Sequence, residues 1–188
     1  MCRRCVLRPI LLRGELYVMT RQMTPVGAVL RGLIAATAGT AAMDLQKYLA
    51  YRMRGGTTSF PDWEFGGIDN WNEASVPGKV GERLLKAWTE KHPDPKWAGL
   101  TSNMVHWGFG IQWGVPFGIV AGSRRPLAVL LGPPFGTVVW LFGYAVLPLG
   151  HFYKPIWTYD AATLAKDLGS HLVYGSVTGI VFRLLSPR

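Results

Sequence analysis

Four stretches of this chain are almost free of charge, and that pattern limits its fold more than any other feature. Residues 100–122, 126–150 and 168–182 hold no Lys, Arg, Asp or Glu, and residues 26–43 hold only Arg31. A helix needs about eighteen or more apolar residues to cross the hydrocarbon core of a bilayer. The last run falls short of that length, so its helix must borrow residues from both flanks. Composition agrees: 49% of residues are hydrophobic and 16% are charged, against about 25% charged in soluble domains. The pattern predicts an all-α fold, a four-helix transmembrane bundle with an extracytoplasmic loop that contains a short amphipathic helix. Its helices are expected over about 25–50, 100–122, 126–150 and 161–185, with a polar loop over 52–99.

The net charge of +9 does not point to nucleic acid. The basic residues are scattered between apolar runs, and no groove-reading motif is present. Arg3, Arg4, Arg8, Arg13 and Arg21 crowd the amino terminus, as positive-inside flanks do. Residues 1–24 therefore read as a basic cytoplasmic tail. Arg124 and Arg125 share that side with Arg183 and Arg188, which puts both termini in the cytoplasm and the 52–99 loop outside. The tail makes a poor signal peptide, because Arg8 and Arg13 interrupt any apolar core; Met19 and Met23 are alternative starts. The two cysteines, Cys2 and Cys5, lack the second pair or the strand context that metal and redox motifs need.

Local signals place the helix ends. Thr24 can cap the first helix, and Pro25 suits its first position, where a missing N–H costs nothing. Arg31 lies close enough to the start to snorkel back to the headgroups. "GGTTSFPDWEFGGIDNW" is punctuated by Gly, Pro and Asp and reads as loop, with Phe60, Trp63, Phe65 and Trp71 free to sit at the membrane interface. In "SVPGKVGERLLKAWTEKHPDP", Val80, Leu84, Ala87 and Trp88 recur at helical spacing opposite Glu82, Arg83, Lys86 and Glu90. That is an amphipathic helix, stopped by Pro93 and Pro95, lying on the bilayer or capping the bundle. Pro133 and Pro134 should kink the third helix, and Asp160 should cap the fourth.

Chemistry concentrates at two glycine stripes that begin with histidine. Gly110, Gly114, Gly118 and Gly122 follow His106 at intervals of four, and Gly175 and Gly179 follow Asp167 and His171. Residues four apart share a helix face, so each stripe offers a groove where another backbone can approach closely. Packing the two grooves together would bring His106 and His171 to one depth. Asp44 lies near the outer end of the first helix on a face with Thr37 and Thr40, and His151 follows the third helix. Buried ionisable groups in a membrane are costly and mark a functional path or site.

Several roles fit these five residues. They can act as a proton relay or pH sensor, since imidazole titrates between about pH 5 and 8. They can hydrogen-bond one another and merely lock the helices. His106, His171 and Asp167 can be read as metal ligands, but without a specific zinc spacing, and the two histidines as axial ligands of a b-type haem. A glycine contact leaves little room for a macrocycle, so no cofactor is favoured. Trp107, Trp113, Trp140 and Tyr174 read as packing and interfacial anchors. No phosphate loop or nucleophile elbow occurs, so an enzyme is the less favoured class.

At "NMVHWGFGIQWGVPFGIV" and "DLGSHLVYGSVTGIVFRLL" the chain resembles the YagU-like family of small bacterial four-helix inner-membrane proteins. The likeness extends to "GLIAATAGTAAMD", "PGKVGERLL", "VLPLG" and "KPIW", over about residues 25–185. Tyr144 stands where some relatives carry a more polar group. The resemblance implies a bacterial plasma membrane location and supplies no activity, ligand or catalytic residue. The expectation is a multi-pass protein partnered by the lipid bilayer, and by a further copy or another membrane protein, with a structural, pH-responsive or ion-conducting cluster of the envelope or acid-stress type. The alternative is a metal- or haem-binding redox protein using His106 and His171.

Overall fold

The computed structural model describes residues 23–187; the basic tail through Arg21, with Cys2 and Cys5, and Arg188 lie outside the described residues. All regular structure among the described residues is helical, as an all-α fold requires. The elements are α1 (Pro25–Met53), α2 (Phe60–Phe65), α3 (Val76–Thr89), α4 (Ala98–Gln112), α5 (Gly114–Ser123), α6 (Ala128–Val146) and α7 (Ala161–Leu185), joined by short 3-10 turns. Three segments, Pro25–Met53, Arg125–Gly150 and Ala161–Leu185, are long and apolar enough to cross a membrane.

The long helices begin where the sequence signals them. Thr24 accepts a hydrogen bond from the Gly27 amide and Pro25 opens α1, while Asp160 accepts one from the Thr163 amide at the start of α7. These side chains satisfy amides that a helix N-terminus otherwise leaves unpaired.

Small residues set how the helices pack. α1 is central, touching α4 and α5 on one side and α7 on the other, and α7 in turn carries α6. A methyl group added at Gly114 would run into the Gly32 and Leu33 backbone of α1, and one at Gly118 would meet Ala28. On the other seam, a methyl at Gly175 would strike Gly132 and Gly136 of α6, and one at Gly179 would lie 2.6 Å from the Ala128 carbonyl. Both seams are backbone-to-backbone contacts that only glycine permits. No such seam joins α5 to α6. There the gap is filled by rings, with Phe117 and Phe135 centroids 4.7 Å apart, Trp113 and Phe142 5.0 Å apart, and Phe182 set at right angles to Phe117.

This pairing corrects the expected one. The glycine stripe of 110–122 packs on α1, and that of 175–179 packs on α6, so the two grooves do not face each other. The reason lies in the partners: α1 and α6 carry their own small residues, Ala28 and Gly32 on one and Ala128, Gly132 and Gly136 on the other. The single helix expected over 100–122 is also two pieces, interrupted at Trp113. Pro116 has no N–H for the carbonyl of Gln112 and its ring crowds that group, so the helix breaks one turn before it. α6, by contrast, runs on through Pro133 and Pro134.

Two further expectations change, and a third gains detail. The "FPDWEF" segment is a short helix capped by Ser59, and its Trp63 packs against Tyr48 and Tyr51. Trp71 is buried with Ala74 and Ala98 beneath α3, donating its indole N–H to the Pro93 carbonyl at 3.0 Å. Arg31 does turn back toward the start of α1, and there its guanidinium binds the Gly27 carbonyl and the Leu185 carbonyl at the end of α7.

Candidate functional site

α3 decides where the site lies. It caps the bundle by burying Gly78 and Gly81 against Ser102, Thr101 and Val105 of α4. At its other side, the Arg83 guanidinium donates to the Gly150 carbonyl at 2.6 Å and stacks 4.3 Å from the Phe152 ring centre. The helix therefore reaches from α4 to the α6–α7 connection. Its Leu84 and Trp88 stay exposed, while the glycine side, with Val80 and Leu85, faces inward.

Beneath α3, between α1, α4, α6 and α7, is a cavity of about 350 Å³. His106, His171 and Asp167 all line it, together with Lys47, Tyr144 and Tyr153. Contacts place these groups at one level, since His106 meets Asp44 and Ser170, next to His171, meets Gln46 of α1.

Asp44 is the best-buried charged side chain among the described residues, at 3% exposure. Its two carboxylate oxygens lie 2.9 and 3.0 Å from His106 Nε2, and the Lys47 ammonium is 3.9 Å away. A buried carboxylate without a partner would cost several kcal/mol, on the order of the penalty for burying a lone charge. The His106 N–H and the nearby ammonium offset that cost. His171 is held differently: its Nδ1 lies 2.8 Å from its own helix's Asp167 carbonyl and 3.7 Å from the Asp167 carboxylate. The two histidines thus share the cavity wall, each committed to a separate carboxylate-bearing residue.

Hydroxyl groups tie the helices together around them. The Tyr174 hydroxyl, buried among α1, α4 and α6, donates to the Gly110 carbonyl at 2.7 Å, and Ser170 donates to Gln46 Oε1 of α1 at 2.9 Å. Tyr144, Tyr153 and Tyr159 form a ring cluster with centroids 5.2–6.2 Å apart. In the α6–α7 connection, burial with Asp167 and Tyr159 close by pushes the Tyr153 phenol up to about 12, so it keeps its proton at neutral pH.

His151 is not part of this arrangement. It ends the 3-10 turn Leu147–Gly150 in a left-handed conformation, φ 58°, and is exposed. Among the anchors, Trp107 donates to Glu64 Oε1 at 2.9 Å, and the indole N–H groups of Trp113 and Trp140 are buried with no partner among the described residues. Lys47 and Tyr153 are the site residues that sequence reasoning passed over, and Tyr144 was noted only as a departure from its relatives. Lys47 had a readable signal, one turn beyond Asp44 on the same helix. The tyrosines had none, since their convergence depends on how the α6–α7 connection folds back.

Among the described residues, no three His, Cys, Asp or Glu side chains are grouped as a metal ion would need. The arrangement can hold and exchange a proton between imidazole and carboxylate, and it can receive a small ligand in the cavity. No family model, curated protein or solved structure matches the chain.

Proposed function

We propose that this is a plasma-membrane protein of four crossings whose Asp44–His106 pair makes the outer end of the bundle respond to pH. The fourth crossing is α4 with α5, which together hold no Lys, Arg, Asp or Glu from residue 98 to residue 123 and extend about 39 Å at helical rise. The arginines at 124 and 125 favour cytoplasmic termini and an extracytoplasmic 52–99 segment. The resemblance to the YagU-like family favours a bacterial inner membrane.

One observation carries the reading: the buried Asp44 carboxylate on α1 meets His106 of α4 with both oxygens. Imidazole is the side chain that titrates between about pH 5 and 8. With a neutral imidazole the pair is anionic; with an imidazolium it is neutral overall. One proton therefore changes the charge of a poorly solvated helix contact, where electrostatic terms are large. The other charged or titratable groups lining the cavity beside the pair are Lys47 of α1, Asp167, His171 and Tyr174 of α7, Tyr144 of α6 and Tyr153 of the α6–α7 connection.

The test is reconstitution in liposomes, with tryptophan emission and proton flux followed between about pH 5 and 7. Asp44→Asn and His106→Gln should abolish the change, whereas His151→Gln, outside the cluster, should leave it intact. A response that persists in both cluster variants, provided they remain folded, would reduce the pair to a helix lock.

A further inference from the structure

The cavity beneath α3 is walled mainly by apolar side chains, among them Val80, Val105, Phe109, Val139, Phe142 and Leu147. It shares Lys47, Tyr144, Tyr153 and Asp167 with a second cavity of about 670 Å³ between the last turns of α1 and the first turns of α7. That second space is also walled largely by apolar surface, but it adds cationic side chains. Lys47, Arg54 and Lys166 line it against one carboxylate, Asp167, and Tyr51, Tyr159 and Thr163 add hydroxyl groups. Asp167 is already turned to His171, and among the described residues Lys166 has no ion-pair partner.

Both volumes lie within the range of small-molecule sites, about 300–1,000 Å³. Their order along the bundle is that of a lipid at a membrane surface, with the cationic space at the helix ends and the apolar one deeper. Gly143 lines the deeper space, and a methyl group there would meet only Leu147, at 4.0 Å, so a larger side chain would extend into the cavity.

We infer that the joined cavities bind an anionic phospholipid. Its phosphate sits among Lys47, Arg54 and Lys166, and one acyl chain enters the apolar cavity under α3. Charge complementarity selects the head, because Arg54 and Lys166 add two cations that no carboxylate among the described residues pairs with, while Lys47 is shared with Asp44. The phenols of Tyr144 and Tyr153, at the shared wall, hydrogen-bond the glycerol region between head and chain.

The experiment uses the full chain purified in neutral detergent at neutral pH, so its outcome is independent of any response of the Asp44–His106 pair to protons. Retained lipid is read by native mass spectrometry and stabilisation by thermal unfolding. The probes are lysophosphatidylglycerol, lysophosphatidylcholine with the same chain, and glycerol phosphate. Lysophosphatidylglycerol should bind at least about fivefold more tightly than the choline lipid, given the effect of even one interfacial cation on an anionic headgroup. Lys166→Gln should weaken it about fivefold and leave the choline lipid unchanged. Gly143→Leu, and Val80→Phe from the opposite wall, should abolish retention of both lipids. Equal binding of the two lipids would overturn the proposal. So would glycerol phosphate stabilising as well as the lysolipid, which would leave an anion site without a chain site, and so would undiminished retention in both cavity-filling variants.

Discussion

Two glycines six residues apart on α7 should respond to the same substitution with opposite signs. A methyl group at Gly169 would have no neighbour within 4 Å. Gly169→Ala therefore carries only the gain in helix propensity, at most about 1 kcal/mol of stabilisation. A methyl group at Gly175 would lie 2.6 Å from the Gly136 nitrogen and 2.8 Å from its Cα. Carbon atoms in contact sit at about 3.5–4.0 Å, so α6 and α7 must move apart by about 1 Å, which forfeits a quarter to a half of the dispersion energy at each contact. The loss is shared along the seam, because Gly132 and Ala128 face Gly175 and Gly179 on the same line. Overpacking of this kind costs about 1–3 kcal/mol, set against the same propensity gain of about 1 kcal/mol. Gly175→Ala should be less stable than Gly169→Ala by that full overpacking cost. Gly175→Leu should be worse still, and worse than Leu130→Ala, whose side chain is 71% exposed. Equilibrium unfolding in mixed detergent micelles, followed by circular dichroism, measures all four. Equal stability of the two alanine variants would refute the close-seam argument.

Other outcomes are open to direct measurement. In a background without Cys2 and Cys5, Lys91→Cys should label with an impermeant thiol reagent in intact cells and Ser123→Cys should not; the reverse pattern would invert the proposed topology. The Tyr153 phenol is raised from 10.0 to about 12, so the stability linked to its neutral form is complete below pH 10 and is lost as pH rises toward 12. Tyr153→Phe should flatten that part of the melting-temperature curve, and an unchanged alkaline slope would count against a buried phenol. Arg83→Gln removes the link from α3 to Gly150 and Phe152 and should raise amide exchange across Val76–Thr89 without altering α7. Exchange rising equally in both would place the role of Arg83 in global stability.

Much of the architecture is local and therefore written in the chain. Charge-poor runs mark α1, α6 and α7, because an apolar helix is recognisable from composition alone. Thr24, Pro25 and Asp160 mark helix starts, because capping involves neighbours within three residues. Asp44, His106, Asp167 and His171 stood out for the same reason, as ionisable groups in apolar surroundings. What the helices do to one another was not legible. A stripe of glycines declares a close contact without naming its partner, and every long helix here carries small residues. Only the tertiary structure pairs 110–122 with α1 and 175–179 with α6, since matching depends on which two grooves meet along their full length. The same holds for the site. His106 found Asp44, sixty-two positions away, because α4 lies on α1. Lys47 came with Asp44 on the same helix, whereas Tyr153 joined because the α6–α7 connection, held by Arg83, folds back beside Tyr144. The residues that can carry charge were set by the sequence, but which of them share one cavity was settled by helix packing, where contact depends on shape over tens of ångströms rather than on any short motif.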